Sequence, residues 1–262
     1  MSAMRFAAWL VLVAAGCQTS DFTFRPERVD PGRVVHYVKS NLDGSKPSLV
    51  SLYIAARDRI EVYKSEKDLD DSADVLARLD WSRFSADRLD AGVITADGRR
   101  EPRAELTIRG SELAVKIGDD EQTFAVETFP LHVYNFDLMS LNVMLPHVTD
   151  PKRSFRVAFA EPTFGTKKEL MELRGFATAR YGGTERVDGV PTRRYTLAGA
   201  GMNGTLWVNV EDGLIEKFES PVPNNPGWTS LRLERRATAR MTPEEWRTYK
   251  LTHVGTGVEP LQ

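Results

Sequence analysis

The chain has 262 residues, of which 41% are hydrophobic, and it carries a formal net charge of −2 and a single cysteine. Nucleic-acid phosphates require a basic footprint, so this charge balance gives no reason to expect nucleic acid as a partner. One cysteine excludes a disulfide framework and a cysteine-based metal site. The length allows one large β domain or two small ones, and either must be stable through its hydrophobic core.

The first 16 residues have the form of a secretory signal. Arg5 supplies a positive charge, and residues 6–16 form an unbroken apolar run. A positive start, an apolar region of ~7–15 residues and small residues at the cleavage point are typical of such signals. A transmembrane helix needs about 20 apolar residues, so this run is too short to span a bilayer. We therefore expect the chain to be exported.

The residues around Cys17 resemble a bacterial lipobox. The run Val13-Ala14-Ala15-Gly16 leads directly into Cys17, the only cysteine of the chain. The resemblance implies cleavage before Cys17 and a diacylglycerol on its sulfur, and two or more acyl chains anchor a protein firmly. Gln18 stands where an aspartate would favour inner-membrane retention, so we expect the outer membrane, facing the periplasm. The alternative is an ordinary signal peptide beside a coincidental cysteine.

The chain after the cleavage point divides into a short tether and one large body. Residues 17–33 contain Pro26, Pro31 and Gly32 with little periodicity, and we expect them to lift the body off the membrane. Residues 34–262 are predicted to form a single β-rich domain, with a soft internal boundary near residue 150.

Short alternating runs separated by glycine or Asp-Gly turns recur along the body and predict β-strands. Because these runs lie close together, and parallel strands need long crossovers, we expect antiparallel pairing. Gly110-Ser111 predicts a tight hairpin between two of them. In chain order, the predicted strands cover residues 34–41, 48–55, 59–64, 106–108, 113–117, 123–126, 155–159, 176–181, 192–197, 206–210 and 214–218.

Two segments in the middle of the chain have helical features. Residues 69–80 are ambiguous, since the first half fits a helix face while the second half alternates like a strand, and we favour a strand for that second half. Residues 136–145 carry leucines at helical spacing behind Asp137, which we predict to be the N-cap.

A third helix start lies near the end of the chain. Thr242 can cap, Pro243 fits the first helical position, and Glu245 completes a capping box. Met241 can pack against Trp246 as a hydrophobic staple.

No catalytic or metal-binding pattern is present in the sequence. There is no Gly-x-Ser-x-Gly, Ser-x-x-Lys or phosphate-binding glycine loop. Paired carboxylates fall in predicted turns or helix starts, where solvated charge explains them. No two of the four histidines have the spacing of a zinc motif; these are His36, His132, His147 and His253. We therefore predict a protein that is not an enzyme and uses no metal or cofactor.

The aromatic residues of the body permit two interpretations. Trp81, Trp207 and Trp228 could line an apolar ligand face, because a curved sheet that does not close has an apolar concave side. The alternative is that these side chains are ordinary core. The sequence does not separate the two, since both bury the same residues.

One passage resembles a known family of envelope proteins. The stretch Gly183-Thr184-Glu185-Arg186-Val187-Asp188-Gly189-Val190-Pro191, then Tyr195, runs into Leu206-Trp207-Val208-Asn209 and the turn Asp212-Gly213. This pattern is similar to that of the LolA and LolB lipoprotein carriers and of the LppX and LprG lipoproteins. The resemblance implies a half-open antiparallel barrel with helices over its mouth, often holding a lipid, although RseB-like branches bind proteins.

Together these features predict a mainly β protein, built as one large twisted antiparallel sheet or half-open barrel with two or three short helices. We expect a lipid-anchored, non-enzymatic envelope lipoprotein that binds or transfers a hydrophobic ligand such as a lipid. The alternative is a structural or regulatory lipoprotein that binds another envelope protein.

Overall fold

The computed structural model describes residues 21–163 and 168–259; Cys17 and the predicted signal lie outside this range. Within it the chain forms fifteen strands and two α-helices, α1 (Met139–Met144) and α2 (Pro243–Thr252). The strands are β1 (Arg33–Ser40), β2 (Ser48–Ala56), β3 (Arg59–Glu66), β4 (Asp71–Asp80), β5 (Ser85–Thr95), β6 (Arg100–Arg109), β7 (Glu112–Ile117), β8 (Asp120–Ala125), β9 (Leu131–Val133), β10 (Phe155–Pro162), β11 (Met171–Val187), β12 (Val190–Gly199), β13 (Met202–Asn209), β14 (Ile215–Ser220) and β15 (Leu231–Arg240).

All fifteen described strands belong to one sheet. Its order is β8-β7-β6-β5-β4-β3-β2-β1-β15-β14-β13-β12-β11-β10-β9. Every neighbouring pair is antiparallel except β9 and β10, which are parallel. Two meanders thus join where β1 pairs with β15, so strands from both sides of residue 150 share one sheet. The prediction of a mainly β, antiparallel fold with few helices is confirmed.

The sheet is strongly curved but not closed. A flat sheet of fifteen strands would be roughly 65 Å wide at ~4.8 Å per strand. Strands β8 and β9 lie at opposite edges, yet residues 126–130 connect them, and so short a link spans at most about 22 Å. Gln122 of β8 also contacts the connection between β10 and β11, donating to the Lys168 carbonyl (3.0 Å) and accepting from the Leu170 amide (2.8 Å). The result is a half-open barrel.

The chain itself fills the concave side of this barrel. Residues 131–147, which we call the inner segment, run from β9 through α1 and lie against strands of both meanders. Two interior gaps beside the segment have volumes of about 10 Å³ each. Its fully or almost fully buried apolar side chains are Leu131, Tyr134, Phe136, Leu138, Met139, Leu141, Val143, Met144 and Leu145. The resemblance implied helices over the mouth; here α1 lies inside the concavity instead.

The predicted tether is docked on the barrel from Asp21 onward. Phe22 is buried, with its ring 5.2 Å from that of Phe84 and 5.6 Å from that of Phe155. The amide of Thr23 donates to the carbonyl of His147 (2.8 Å). Proline and glycine content suggested a loose segment, but aromatic residues within it reach the core.

Helix α2 covers the convex face of β1 to β3. Trp246 is buried there, stacked on Tyr53 at 5.1 Å, and its indole N–H donates to Glu61 (2.7 Å). Thr242 and Glu245 form both hydrogen bonds of the predicted capping box. In the ambiguous segment 69–80, the strand interpretation is correct, since β4 begins at Asp71.

Candidate binding cleft at the open end of the half-barrel

The two ends of the barrel differ in what they carry. At one end, which we call the base, lie the docked segment 21–32 and the turns at 57–58 and 81–84. At the opposite end, the cleft end, the loops 41–47, 67–70 and 221–230 surround a cleft of about 820 Å³. Its walls include Lys39, Lys46, Ser48, Lys64, Glu66, Lys67, Leu69, Asp71, Val93, Asn135, Asn225, Pro226 and Trp228.

An ion-pair cluster forms the floor of the cleft. Asp137 of the inner segment is completely buried, and its two oxygens lie 2.9 Å from Lys39 Nζ and 2.5 Å from Lys64 Nζ. The side chain of Lys39 is 2% exposed and that of Lys64 is 17% exposed. The side-chain amide of Asn224 also donates to Asp137 (2.7 Å). The floor therefore holds two ammonium groups for one carboxylate.

The predicted role of Asp137 as an N-cap is wrong. Asp137 and Leu138 have φ values of 51° and 60°, in the left-handed region, and Leu138 occupies the cap position without a side-chain hydrogen bond. An N-cap residue needs extended backbone, which this turn does not provide. The carboxylate points instead to the lysines of β1 and β3.

The cluster shifts the pKa values of its members. Burial by itself would raise the pKa of Asp137, but the Lys39 and Lys64 ammonium groups outweigh it and lower that pKa to about 2. Burial lowers the pKa of Lys39, and the nearby Asp137 carboxylate opposes this effect. The carboxylate is thus ionised across the physiological range.

The sequence holds a signal for both floor lysines that our prediction did not use. Along β1, Val35 and Tyr37 face the core at alternate positions, and Lys39 comes next in the same row. Along β3, Ile60 and Val62 are followed in the same way by Lys64. A charged residue in an inward row must find a partner. The alternation alone therefore marks the two lysines as unusual.

The three tryptophans predicted to line a ligand face lie in three different places. Trp228 is at the cleft, with Lys39 Nζ 4.4 Å from its ring centroid. Trp81 is at the base, 4.6 Å from the ring of Phe24. Trp207 is on the convex face, with Lys217 Nζ 5.6 Å from its ring. Only Trp228 lies beside the cleft.

Three of the four histidines, His36, His132 and His147, are buried. His36 Nδ1 lies 2.8 Å from Ser51 Oγ, and both side chains are buried beneath Tyr249 of α2. A substrate cannot reach this Ser–His pair without displacing the helix. Burial lowers the pKa of His36 to about 4, of His132 to about 3 and of His147 to about 4. Among the described residues, no group of His, Cys, Asp and Glu has the arrangement of a metal site.

Comparisons with known proteins give distant structural likenesses. The chain matches no protein-family model and no curated protein. It is similar to the crystal structure of MucB, with 13% identity over 82% of this chain and 56% of that chain and a TM-score of 0.27. It is also similar to the complex structure of Pseudomonas aeruginosa MucA/MucB, with 11% identity over 83% of this chain and 55% of that chain and a TM-score of 0.27. A third likeness is to a DUF1329 family protein from Desulfovibrio piger ATCC 29098, with 10% identity over 83% of this chain and 90% of that chain and a TM-score of 0.29.

The chain spans about half the length of the MucB chains that it matches. With TM-scores below 0.5, these likenesses carry no argument about function, which must come from the chain's own geometry. In the part of the chain that the structure describes, no helix has both the length and the apolar character needed to cross a bilayer.

Proposed function

We propose that the chain is a non-enzymatic lipoprotein of the bacterial envelope that binds an amphiphilic ligand in the cleft. Lipid on Cys17 holds it at the outer membrane, facing the periplasm. The observation that supports ligand binding is the cleft itself. Its volume of about 820 Å³ lies within the range of small-molecule sites, and its walls combine apolar groups such as Trp228 and Leu69 with polar ones.

The proposed site is the cleft end because the concave interior is occupied. The inner segment buries its apolar side chains there, and the neighbouring gaps are of water size. A ligand inside the barrel would have to displace Leu141 and Met144, both fully buried. A ligand in the cleft displaces only water, and Leu69, 48% exposed, offers it apolar surface.

A fluorescent fatty-acid or phospholipid probe tests this function. The soluble Cys17→Ser form should bind the probe saturably. Trp228→Ala should weaken binding about fivefold, the cost of losing a modest aromatic contact. Trp207→Ala is the matched control, since Trp207 contacts Lys217 on the convex face, and it should leave binding unchanged. Circular dichroism must show that both variants fold.

A second function is favoured by the filled interior. A barrel whose concavity is packed by its own chain suits a structural or regulatory lipoprotein that binds another envelope protein. Native mass spectrometry of the soluble form distinguishes the two. A copurified lipid supports the ligand-binding function. A bare mass, together with failure of every lipid probe to bind, supports the partner-binding function.

A further inference from the structure

The charges on the floor of the cleft are unbalanced. Among the described residues, the salt bridges of Lys39 and Lys64 reach one carboxylate, that of Asp137. Uncompensated charge is costly where water is excluded, so such a floor favours an additional anion. Glu66 and Asp71 also line the cleft, but Glu66 is exposed and Asp71 lies at the start of β4. Solvent screens charges at such positions more than it screens the buried floor.

Lys64 has the geometry of a contact residue for that anion. An ammonium group has three N–H donors. That of Lys64 donates to the carbonyl of Asn135 (2.9 Å) and forms an ion pair with Asp137, 2.5 Å from one of its carboxylate oxygens. Lys64 lines the cleft and its side chain retains 17% exposure, so its ammonium group has capacity for a further acceptor from the cleft. Lys39 is almost wholly buried beside Trp228. Its positive charge adds to the electrostatic potential at the cleft floor.

From this arrangement we infer that the cleft floor binds an anionic group of the ligand, a phosphate or a carboxylate, through the ammonium of Lys64. This inference rests on the proposed function and specifies its ligand as an anionic amphiphile. The apolar part of the ligand lies along Trp228 and Leu69, and its charged group reaches the floor. Charge-assisted hydrogen bonds of this kind are the strong ones in binding sites.

Three probes with the same twelve-carbon chain test the inference: dodecyl phosphate, dodecanoate and dodecanol, each below its aggregation limit. Their affinities for the soluble Cys17→Ser form are measured by calorimetry at low and high salt. We expect at least one anion to bind about tenfold more tightly than the alcohol, and salt to reduce this difference. Preference between the two anions distinguishes a phosphate-bearing lipid from a fatty acid.

Variants locate the effect. Lys64→Gln should abolish the preference for anions, whereas Lys64→Arg should retain it, because the charge remains. Lys152→Gln is the control, since Lys152 is exposed at the base. Equal affinity for all three probes would overturn the anion site and leave the proposed function intact. Absence of binding by every probe would overturn both. These comparisons on the parent protein hold even if Lys64→Gln does not fold.

Discussion

Replacing Asp137 should be strongly destabilising, because its carboxylate pairs with two lysines in a water-poor site. The substitution Asp137→Asn keeps the size of the side chain but leaves Lys39 and Lys64 buried without a counter-charge. Removing one partner of a buried ion pair typically costs about 3–5 kcal/mol. We expect Asp137→Asn to lower the free energy of unfolding by about 3 kcal/mol, measured by urea titration.

A matched control separates this effect from the loss of any carboxylate. Asp119 lies in an exposed turn, and Asp119→Asn should change stability by less than about 0.5 kcal/mol. Equal urea midpoints for the two variants would contradict the stabilising role of the ion pair. The pair also sets an acid limit, because the pKa of Asp137 is about 2 in the folded chain and about 3.9 unfolded. Its contribution is present above pH 4 and is lost as pH falls toward 2.

The buried histidines predict a second pH dependence at higher pH. In the folded chain, burial holds the pKa values of His36, His132 and His147 at about 4, 3 and 4. The unfolded chain takes up protons on them below about pH 6.5, so stability falls as pH drops from 6.5 toward 4. Each histidine contributes up to about 1.4 kcal/mol per pH unit. Urea titrations at pH 7 and pH 5 check this, and identical stabilities at the two values would refute it.

At the residue scale, the sequence predicts only those roles that depend on neighbouring residues in the chain. Cys17 was predicted to carry lipid from its neighbours, and this prediction lies outside the described residues. Asp137 was misassigned because an aspartate before leucines at helical spacing usually caps a helix, whereas here its lysine partners are about 70 and 100 positions away. The distances that make Asp137, Lys39 and Lys64 one cluster arise only when the sheet curls.

At the scale of elements, helix α2 offers a direct test of its cap. Thr242 Oγ1 accepts from the amide of Glu245 (3.2 Å), and the Glu245 side chain accepts from the amide of Thr242 (2.7 Å). Thr242→Ala should lower stability by about 1 kcal/mol, because a helix amide loses its partner. Thr248→Ala, an exposed change within the same helix, should be neutral or slightly stabilising, since alanine is the better helix former. Thermal melts of the two variants that coincide would argue against the cap.

Elements with strong local alternation were predicted, and those without it were not. β1, β2 and β3 match the predicted strands to within two residues at each end. β5 and β15 were missed, as was the three-residue β9. The first carries charged residues and a glycine among its apolar ones, and the second half of β15 is mostly exposed and polar. Both owe their conformation to neighbouring strands on each side, which is tertiary information.

At the scale of the whole molecule, the order of the strands could not be read from the sequence. β1 pairs with β15, so that Arg33 lies opposite Arg240. No turn signal links positions so far apart, and alternation says which face a side chain takes but not which strand lies beside it. The position of the inner segment could not be read from the sequence either. Its leucines indicated a helix, but their place inside the barrel depends on the path of the chain from β8 to β9.

The position of the base predicts how the protein sits on a membrane. If Cys17 carries lipid, Asp21 lies at most about 14 Å along the chain from it. Asp21 belongs to the base, and strands such as β1, of eight residues, separate the base from the cleft end by roughly 26 Å. The cleft should therefore face away from the membrane, toward the aqueous space of the envelope.

Energy transfer from single labelled cysteines to an acceptor lipid in proteoliposomes measures this orientation. Cys17 is the only native cysteine. Once lipid occupies the Cys17 sulfur, an introduced cysteine is therefore the sole reactive thiol. Lys152→Cys labels the base and Asp119→Cys labels the turn between β7 and β8 at the cleft end; both sites are exposed. Transfer should be clearly stronger from position 152, because transfer falls steeply over distances of this size. Equal or reversed transfer would reject the orientation.

The control places the same two labels on forms that also carry Cys17→Ser. The signal of the Cys17→Ser form without an introduced cysteine is subtracted as background. These forms should show no transfer, because without the lipid nothing holds the base at the bilayer.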